Sequence, residues 1–239
     1  HNEIPLFSYL KKANSSFYWQ AAPDLGCRRS IGWTCLNPLH SIFPPEIWNF
    51  YLTTPLPKIY QRILNKNTGT PDSLDEFLKY IDKNGMPKTP FFAFINDAGG
   101  KRPYLVTNEC EPTNYFNQNF EGYKASYQCT LKKVKMFMEK INNIDPEAIV
   151  VFQGDHGVRK IFLNLELTEK EKYLFAGSIF NAIKAPEICF DKYGLPKTNI
   201  NTIRFALNCA YGFKLPYRKN IHYEINHDLG IVVERKLYE

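Results

Sequence analysis

Apolar residues recur at helical spacing in several stretches of the chain. In the clearest stretch, Leu74 to Ile81 places its apolar side chains on one face, Asp72 or Ser73 caps the start, and Asn84-Gly85 ends the pattern. Residues 72–83 are therefore predicted to be helical. Other helices are expected over residues 5–13, 46–65 (in two pieces, interrupted by Pro55 and Pro57), 120–142, part of 168–180, and 201–211.

Two short runs are apolar at every position, Phe91–Ile95 and Ala148–Phe152. Continuous apolarity is typical of strands that are buried on both faces. Because a long predicted helix separates the two runs, residues 90–157 are expected to form a core βαβ unit. The predicted fold is α/β, with a mostly parallel sheet flanked by helices on both faces. Further strands are expected over residues 17–21 and, at the sheet edge, 230–235.

The length and composition fit one folded domain. With 239 residues, of which 44% are hydrophobic and 23% charged, the chain can build a core and is not disordered, collagen-like or a coiled coil. Its longest apolar runs are far shorter than the roughly 20 residues that cross a bilayer. We expect a single domain over residues 1–239, in which residues 23–45 form a loop rich in Cys and Pro.

The net charge of the chain is +6. Its basic residues are scattered in pairs such as Lys11-Lys12 and Lys132-Lys133, not concentrated in one stretch. A nucleic-acid partner is therefore not expected. A weak positive field would instead suit an anionic substrate or the anionic face of a membrane.

The six cysteines form no CxxC motif and have no His at zinc-finger spacing, so a structural zinc site is not expected. Their even number is typical of a disulfide framework, although the sequence does not choose among the pairings. Cys27 with Cys35, and Cys110 with Cys129, would each close a short loop. Buried free thiols are the alternative. We favour disulfides and hence an extracytoplasmic location, whether periplasmic, extracellular or lumenal.

Asp155, His156 and Gly157 directly follow the second apolar run. In open α/β sheets, ligands bind at the carboxyl ends of the strands. A carboxylate and an imidazole that are adjacent on a tight turn can both bind one divalent cation, and a glycine lets the backbone come close. The same tripeptide can also be an ordinary polar turn. Asp155 and His156 are therefore candidate metal ligands.

The stretch from Ile149 to Gly157, with the sequence IVVFQGDHG, resembles the metal-binding segment of the sulfatase-like branch of the alkaline phosphatase superfamily. In that branch a hydrophobic strand delivers an Asp-His pair to the metal. The resemblance covers about residues 4–225 and depends on the order of several segments. The other similar segments are 90–95, 102–104, the end of a helix at 144–146, and 199–217.

The resemblance implies an alkaline-phosphatase-like fold and a divalent metal ion, whether calcium, zinc or manganese. It also implies attack on a sulfate or phosphate ester by a metal-activated Thr, Ser or modified Cys. In the family the nucleophile lies in the N-terminal half of the domain, and no residue before Phe91 matches it; Asp24 and Cys27 lie in a predicted loop. We therefore expect the C-terminal portion of the catalytic domain, without its first strands.

A metal-dependent hydrolase or phospho-group transferase is accordingly expected for the parent protein, and no activity for this chain alone. A region upstream of His1 would carry the nucleophile and could tether the protein to a membrane.

The family loop that usually carries a His corresponds to residues 96–102, which contain none. Asp97 could replace that His as an oxygen ligand, while Lys101, Arg102 and Arg159 could contact an anionic ester. Ordinary turn residues and surface ion pairs are the alternative interpretation of all four. A catalytically inactive pseudo-hydrolase that serves as a binding or interaction module is the alternative function.

Overall fold

The computed structural model describes residues 5–20, 33–35, 73–88, 90–96, 104–117, 119–158, 167–219, 221–226 and 231–235. The chain divides into two compact units, His1–Lys140 and Ile141–Glu239. The helices predicted over 46–65, and Asp24 and Cys27, lie outside the described residues.

The first unit contains a three-stranded parallel sheet. Helix α1 (Pro5–Lys12) leads into the central strand β1 (Ser16–Gln20), which pairs on one side with β2 (Trp33–Cys35). After helix α2 (Ser73–Asn84), strand β3 (Phe91–Ile95) pairs with the other side of β1. The strand order is thus β2-β1-β3, with β1 in the middle.

Helix α2 matches its sequence prediction. The apolar residues from Leu74 to Ile81 are buried along one face. Gly85 ends the helix in a left-handed conformation, with φ of 74°, and its N–H donates to the carbonyl oxygen of Ile81. Glycine adopts this conformation without the steric cost that a Cβ would bring. Local sequence was sufficient to predict both the face and the end of this helix.

A hairpin and a long helix complete the first unit. Strands β4 (Tyr104–Val106) and β5 (Pro112–Asn117) are antiparallel, and helix α3 (Phe120–Ile144) follows and runs past the unit boundary. A disulfide between Cys110 and Cys129 joins the hairpin turn to α3. Phe137 of α3 packs against Phe77 of α2, with 6.2 Å between ring centroids. The disulfide thus fixes the hairpin turn to α3 covalently, and the ring contact packs α3 against α2.

The second unit begins with strand β6 (Val150–Gln153) and helix α4 (Glu169–Gly177). Strand β7 (Asn181–Lys184) is antiparallel to β6, and helix α5 (Glu187–Tyr193) and helix α6 (Asn199–Tyr211) follow. Strands β8 (His222–Asn226) and β9 (Ile231–Arg235) form a separate antiparallel ribbon.

The core of the second unit lies between α5 and α6. A second disulfide, between Cys189 and Cys209, links the two helices, and the rings of Phe190 and Phe205 stack with their centroids 4.9 Å apart. Phe205 is completely buried. Helix α6 also packs on β6, which connects this core to the strand that carries the candidate site.

The predicted fold class is wrong. The two apolar runs were expected to be parallel neighbours, but β3 pairs with β1 whereas β6 is antiparallel to β7. Among the described residues, three of the four sheets are two-stranded antiparallel ribbons, so a mostly parallel sheet flanked by helices is not what forms. Neither run is fully buried, and Phe94 is 37% exposed. An apolar run predicts that a strand forms, but it specifies neither the partner nor the direction of pairing.

The two disulfides confirm the expected use of disulfides in this chain. They are compatible with the predicted extracytoplasmic location, since such bonds persist in oxidising compartments. None of the helices in the described ranges has the length and apolar composition of a membrane span.

Candidate functional site

The candidate metal ligands lie on a turn that directly follows β6, residues 154–158, here called the ligand turn. Its first residue, Gly154, donates its N–H to the carbonyl oxygen of Phe180 across 2.8 Å. The last pair of the β6–β7 ladder, Gln153 with Asn181, immediately precedes that bond. The start of the ligand turn is therefore fixed by the β6–β7 ribbon.

Helix α4 holds the other end of the ligand turn. The N–H of Gly157 donates to the carbonyl oxygen of Ala176, at 2.9 Å, and the N–H of Val158 donates to that of Phe175, at 3.2 Å. Both carbonyls belong to the last turn of α4, where no intrahelical partner exists. The ligand turn thus caps the C-terminal end of this helix.

Gly157 is needed for this close approach. A Cβ atom at this position would lie 2.2 Å from the carbonyl oxygen of Phe175 and 2.7 Å from that of Ser178. Such distances are well inside van der Waals contact, and backbone atoms cannot easily move aside. The sequence predicted that this glycine lets the backbone come close to a metal ion; in the structure it lets the backbone come close to the end of α4.

The N-terminus of α4 is fixed by a capping box. The N–H of Thr168 donates to Oε2 of Glu171 across 2.8 Å, and the N–H of Glu171 donates to Oγ1 of Thr168 across 3.3 Å. The Thr168 hydroxyl also donates to Oε2, and this bond, followed by the backbone bond, lowers the pKa of the Glu171 carboxyl. Side-chain caps of this kind stabilise the first turn of a helix.

Asp155 and His156 are the side chains that the ligand turn presents to solvent. The Asp155 side chain is 87% exposed and the His156 side chain 49% exposed, with 3.8 Å between Oδ1 of Asp155 and Nε2 of His156. Two ligands of a tetrahedral zinc ion, each about 2.0–2.2 Å from the metal, lie about 3.4 Å apart. The observed 3.8 Å is slightly longer, so a small rotation of either exposed side chain would bring both atoms within reach of one cation.

The other ring nitrogen of His156 has a partner that fixes its role. Nδ1 lies 2.7 Å from the carbonyl oxygen of Gly157. A carbonyl oxygen only accepts hydrogen bonds, so Nδ1 carries the proton and donates. In a neutral imidazole Nε2 then keeps its lone pair, on the side that faces Asp155. A metal-binding His usually has this arrangement, with the distal nitrogen donating to a backbone carbonyl.

The site is incomplete as a metal centre within the described residues. No cluster of three or more His, Cys, Asp or Glu side chains forms among them. Asp155 and His156 are thus two candidate ligands without a third beside them in the described part of the chain, and Asp155 is largely exposed to solvent. Bound water or groups from elsewhere would have to complete the coordination of an ion.

The remaining candidates from the sequence fall outside the described residues. Asp97, Lys101, Arg102 and Arg159 are among these, so the structure does not place them relative to Asp155 and His156.

The structure adds one polar side chain that no sequence pattern had singled out. Asn181 pairs with Gln153 in the β6–β7 ladder, two residues before Asp155. Its Nδ2 donates to Oγ1 of Thr202 on α6, at 2.9 Å, while its Oδ1 is buried and accepts no hydrogen bond from the described residues. Only the strand register brings Asn181 to this end of β6, and the register was not readable from the sequence.

The backbone around the ligand turn favours a cation over an anion. The C-terminal end of a helix carries a partial negative charge, and Gly157 lies directly against the C-terminal carbonyls of α4. The carboxylate of Asp155, two residues before Gly157, adds a full negative charge to the same turn. An anionic ester would therefore approach this turn favourably only together with a cation.

Comparison with known proteins identifies no relative: no family model, no curated protein and no solved structure matches this chain.

Proposed function

We propose that the ligand turn binds a divalent cation through Oδ1 of Asp155 and Nε2 of His156. The observation that carries this proposal is the hydrogen bond from Nδ1 of His156 to the Gly157 carbonyl oxygen, because it leaves Nε2 as a lone-pair donor 3.8 Å from a carboxylate. One nitrogen and one oxygen ligand favour zinc or manganese over calcium, which prefers oxygen ligands alone.

The proposed activity of the parent protein is metal-dependent hydrolysis, or phospho-group transfer, of sulfate or phosphate esters. Its support is the resemblance of residues 149–157 to the metal-binding segment of the sulfatase-like enzymes. A bound divalent ion would act there as a Lewis acid toward an ester oxygen. Asp155 and His156 would hold that ion.

The other candidate residues have supporting roles in this proposal. Asp97 would supply a further oxygen ligand, and Lys101, Arg102 and Arg159 would balance the charge of the ester oxygens. No residue of the chain is assigned as nucleophile, and we expect no turnover from this chain alone. The compartment proposed for it is periplasmic, extracellular or lumenal, where the two disulfides would persist.

Metal titration tests the proposed site directly. Calorimetry with Zn²⁺, Mn²⁺ and Ca²⁺ is compared for the wild-type chain and the Asp155→Ala and His156→Ala variants. Loss of either ligand should weaken Zn²⁺ binding by roughly tenfold or more. Asp191→Ala removes an exposed carboxylate from α5, in the same unit, and is the matched control. Equal affinities for all four proteins would contradict the proposal.

A ¹⁵N spectrum of the His156 ring provides a readout that does not depend on activity. In the metal-free protein, the spectrum should show the tautomer with a proton on Nδ1. Zn²⁺ should then shift the Nε2 resonance, and the Nδ1 proton should stay in place. A protonated Nε2 in the metal-free protein at neutral pH would argue against a ligand role.

The alternative function is a catalytically inactive binding or interaction module. It is favoured by the high exposure of Asp155 and by the presence of only two ligands in the described part of the chain. Binding of inorganic phosphate and sulfate separates the two functions. The hydrolase proposal predicts that either anion binds more tightly once Zn²⁺ is present, whereas an interaction module should show no such dependence on the metal.

A further inference from the structure

One surface of the second unit exposes large apolar side chains around the start of α6. They lie in the connector that follows α5, on α6 itself and in the segment after it. Their exposed fractions are 66% for Leu195, 53% for Ile200, 38% for Ile203 and 38% for Tyr217. Contiguous exposed apolar patches usually mark a surface that contacts a partner or a membrane.

Three hydrogen bonds bring these side chains together. The Tyr217 hydroxyl donates to the carbonyl oxygen of Gly194 at 3.1 Å, which places Tyr217 beside the residue preceding Leu195. The Asn201 side chain binds the backbone of Arg218 twice, accepting from its N–H at 2.8 Å and donating to its carbonyl oxygen at 2.9 Å. The connector, the start of α6 and residues 217–218 therefore form one continuous surface.

The two isoleucines lie on the outward face of α6. Ile200 and Ile203 are three residues apart, which places them on the same side of the helix. The opposite face is packed inside the unit, since Asn201, Thr202 and Phe205 are buried. The exposure of the isoleucines thus follows from the orientation that the core imposes on the helix.

The chain segment that forms this surface is basic. The sequence from Lys192 to Lys219 contains no Asp or Glu. Within the described part of the chain, its cationic side chains form no ion pair with a carboxylate. The basic residues of this stretch are Lys192, Lys197, Arg204, Lys214, Arg218 and Lys219.

We propose that this basic–apolar patch, formed by Leu195, Ile200, Ile203 and Tyr217 with the basic residues around them, binds the anionic face of a lipid bilayer. Aliphatic side chains would enter the boundary between headgroups and acyl chains, and the flanking cations would contact the lipid phosphates. The core of a protein–protein interface is usually depleted of Lys, whereas Lys197 and Lys219 lie within two residues of Leu195 and Tyr217 along the chain. The patch lies outside the ligand turn, so this proposal is independent of metal binding.

Vesicle sedimentation tests the proposal. The wild-type chain is mixed with phosphatidylcholine vesicles that contain or lack phosphatidylserine. Binding should require phosphatidylserine and should weaken as salt is raised, because salt screens the charges. Inorganic phosphate, at the ionic strength of the control, should not displace the protein. Equal binding to both kinds of vesicle, or displacement by phosphate at constant ionic strength, would overturn the proposal.

Two variants separate the apolar and the charged contributions. Ile200→Ser with Ile203→Ser, and Lys214→Ala with Lys219→Ala, should each weaken binding to anionic vesicles by about tenfold or more. All four side chains are exposed, so both variants should fold, which circular dichroism checks. Lys135→Ala with Met136→Ser, on the exposed side of α3, is the control and should bind like the wild type.

A second copy of this chain is the competing partner for the basic–apolar patch. Analytical ultracentrifugation of the same proteins without lipid addresses it. A dimer that the isoleucine variant abolishes, together with unchanged vesicle binding by that variant, would overturn the membrane proposal in favour of a second copy of this chain. A monomer at all concentrations, combined with the vesicle results above, supports the membrane surface.

Discussion

The N–H of Gly157 donates to the carbonyl oxygen of Ala176 across 2.9 Å. This bond joins the turn that carries Asp155 and His156 to the C-terminal end of α4. Because Val158 makes the neighbouring bond to Phe175, the turn and the helix end complete each other's backbone hydrogen bonds. The position of the candidate ligands therefore depends on α4, although the helix itself contributes no ligand.

Gly157→Ala should destabilise the second unit. The added Cβ would meet backbone oxygens of α4 at 2.2 to 2.8 Å, and the turn would have to move away from the helix. Overpacking of this kind costs about 1–3 kcal/mol. Urea denaturation followed by circular dichroism measures the loss. In the same sample, Zn²⁺ affinity should fall, because the spacing of Asp155 and His156 depends on this turn.

Gly154→Ala is the matched control for that prediction. Its added Cβ would make one tight contact, at 3.3 Å, with the Cγ2 atom of Ile179, which is the end of a side chain that can shift; the nearest backbone atoms lie at 3.6 and 3.7 Å, in ordinary van der Waals contact. We expect a smaller loss than for Gly157→Ala. Similar losses for the two variants would show that the contact with α4 does not determine the stability of the ligand turn.

The capping box of α4 predicts a pH dependence. Hydrogen bonds from Thr168 lower the pKa of Glu171 from its usual value of 4.5. A carboxyl whose pKa is lower in the folded state stabilises that state above its unfolded pKa, and the contribution disappears as the pH falls through the folded pKa. An NMR titration of the Glu171 side chain should therefore show a midpoint below 4.5.

Substitutions of Thr168 identify the cause of that shift. Thr168→Ala removes the hydroxyl, the larger of the two causes, and should raise the Glu171 midpoint toward its usual value. Thr168→Ser keeps the hydroxyl and should leave the midpoint low. An unchanged midpoint in the alanine variant would mean that the side-chain bond does not lower this pKa.

The disulfide between Cys189 and Cys209 should contribute substantially to stability. It closes a loop with a sequence separation of 20 residues, and a cross-link of about this length stabilises by about 3 kcal/mol, mainly by restricting the unfolded chain. Replacing both cysteines by alanine should lower the denaturation midpoint under oxidising conditions. The difference from the wild type should shrink when both proteins are measured with a reductant. If reductant left the difference in denaturation midpoint unchanged, the loss of stability would come from altered packing and not from the missing cross-link.

Asn208→Asp should be costly at neutral pH. The Asn208 side chain is buried, with Nδ2 donating to the Leu215 carbonyl oxygen at 2.9 Å and Oδ1 accepting from the Leu215 N–H at 2.8 Å. A carboxylate would place an oxygen against that carbonyl, at an expected cost of about 2–4 kcal/mol. Thermal unfolding measures it. Protonation at acidic pH restores a donor, so the loss should diminish there.

Asn108→Asp provides the comparison for a buried amide. Asn108 is exposed in the turn after β4, so the same change in charge should alter stability by less than about 0.5 kcal/mol. If both variants lost the same free energy of unfolding, the two hydrogen bonds of Asn208 would not be the cause of the loss.

Several local elements of this chain were readable from its sequence, but six others, β2, β4, β5, β7, β8 and α5, were not predicted. Helix α2 was predicted from its apolar spacing and from Asn84-Gly85, and it runs from Ser73 to Asn84. Helix α6 was expected to end at Tyr211 before Gly212, and it does so, with φ of 67° at the glycine. Apolar spacing and glycine conformation act within a few residues, so one segment contains all the information needed.

The strand pairing was not readable in the same way. Phe91–Ile95 and Ala148–Phe152 were both expected in one parallel sheet, but the strands that form belong to different sheets, and the second, Val150–Gln153, is antiparallel to Asn181–Lys184. Backbone hydrogen bonds of a ladder are the same for any apolar strand, so side-chain composition alone does not select the partner. The pairing partner of a strand depends on which faces of strands and helices the whole chain can bury against each other.

For the candidate site, residue types alone were enough to predict that a carboxylate, an imidazole and a small residue follow a strand at Asp155-His156-Gly157. The folded chain was needed to show that Gly157 lies against the end of α4, that its carbonyl oxygen accepts from Nδ1 of His156, and that Nε2 of His156 is 3.8 Å from Oδ1 of Asp155. The first of these contacts joins residues that are far apart along the chain. Residue types are local, whereas the carbonyl oxygens that hold Gly157 in place, and with it the oxygen to which His156 donates, belong to a helix about twenty residues away.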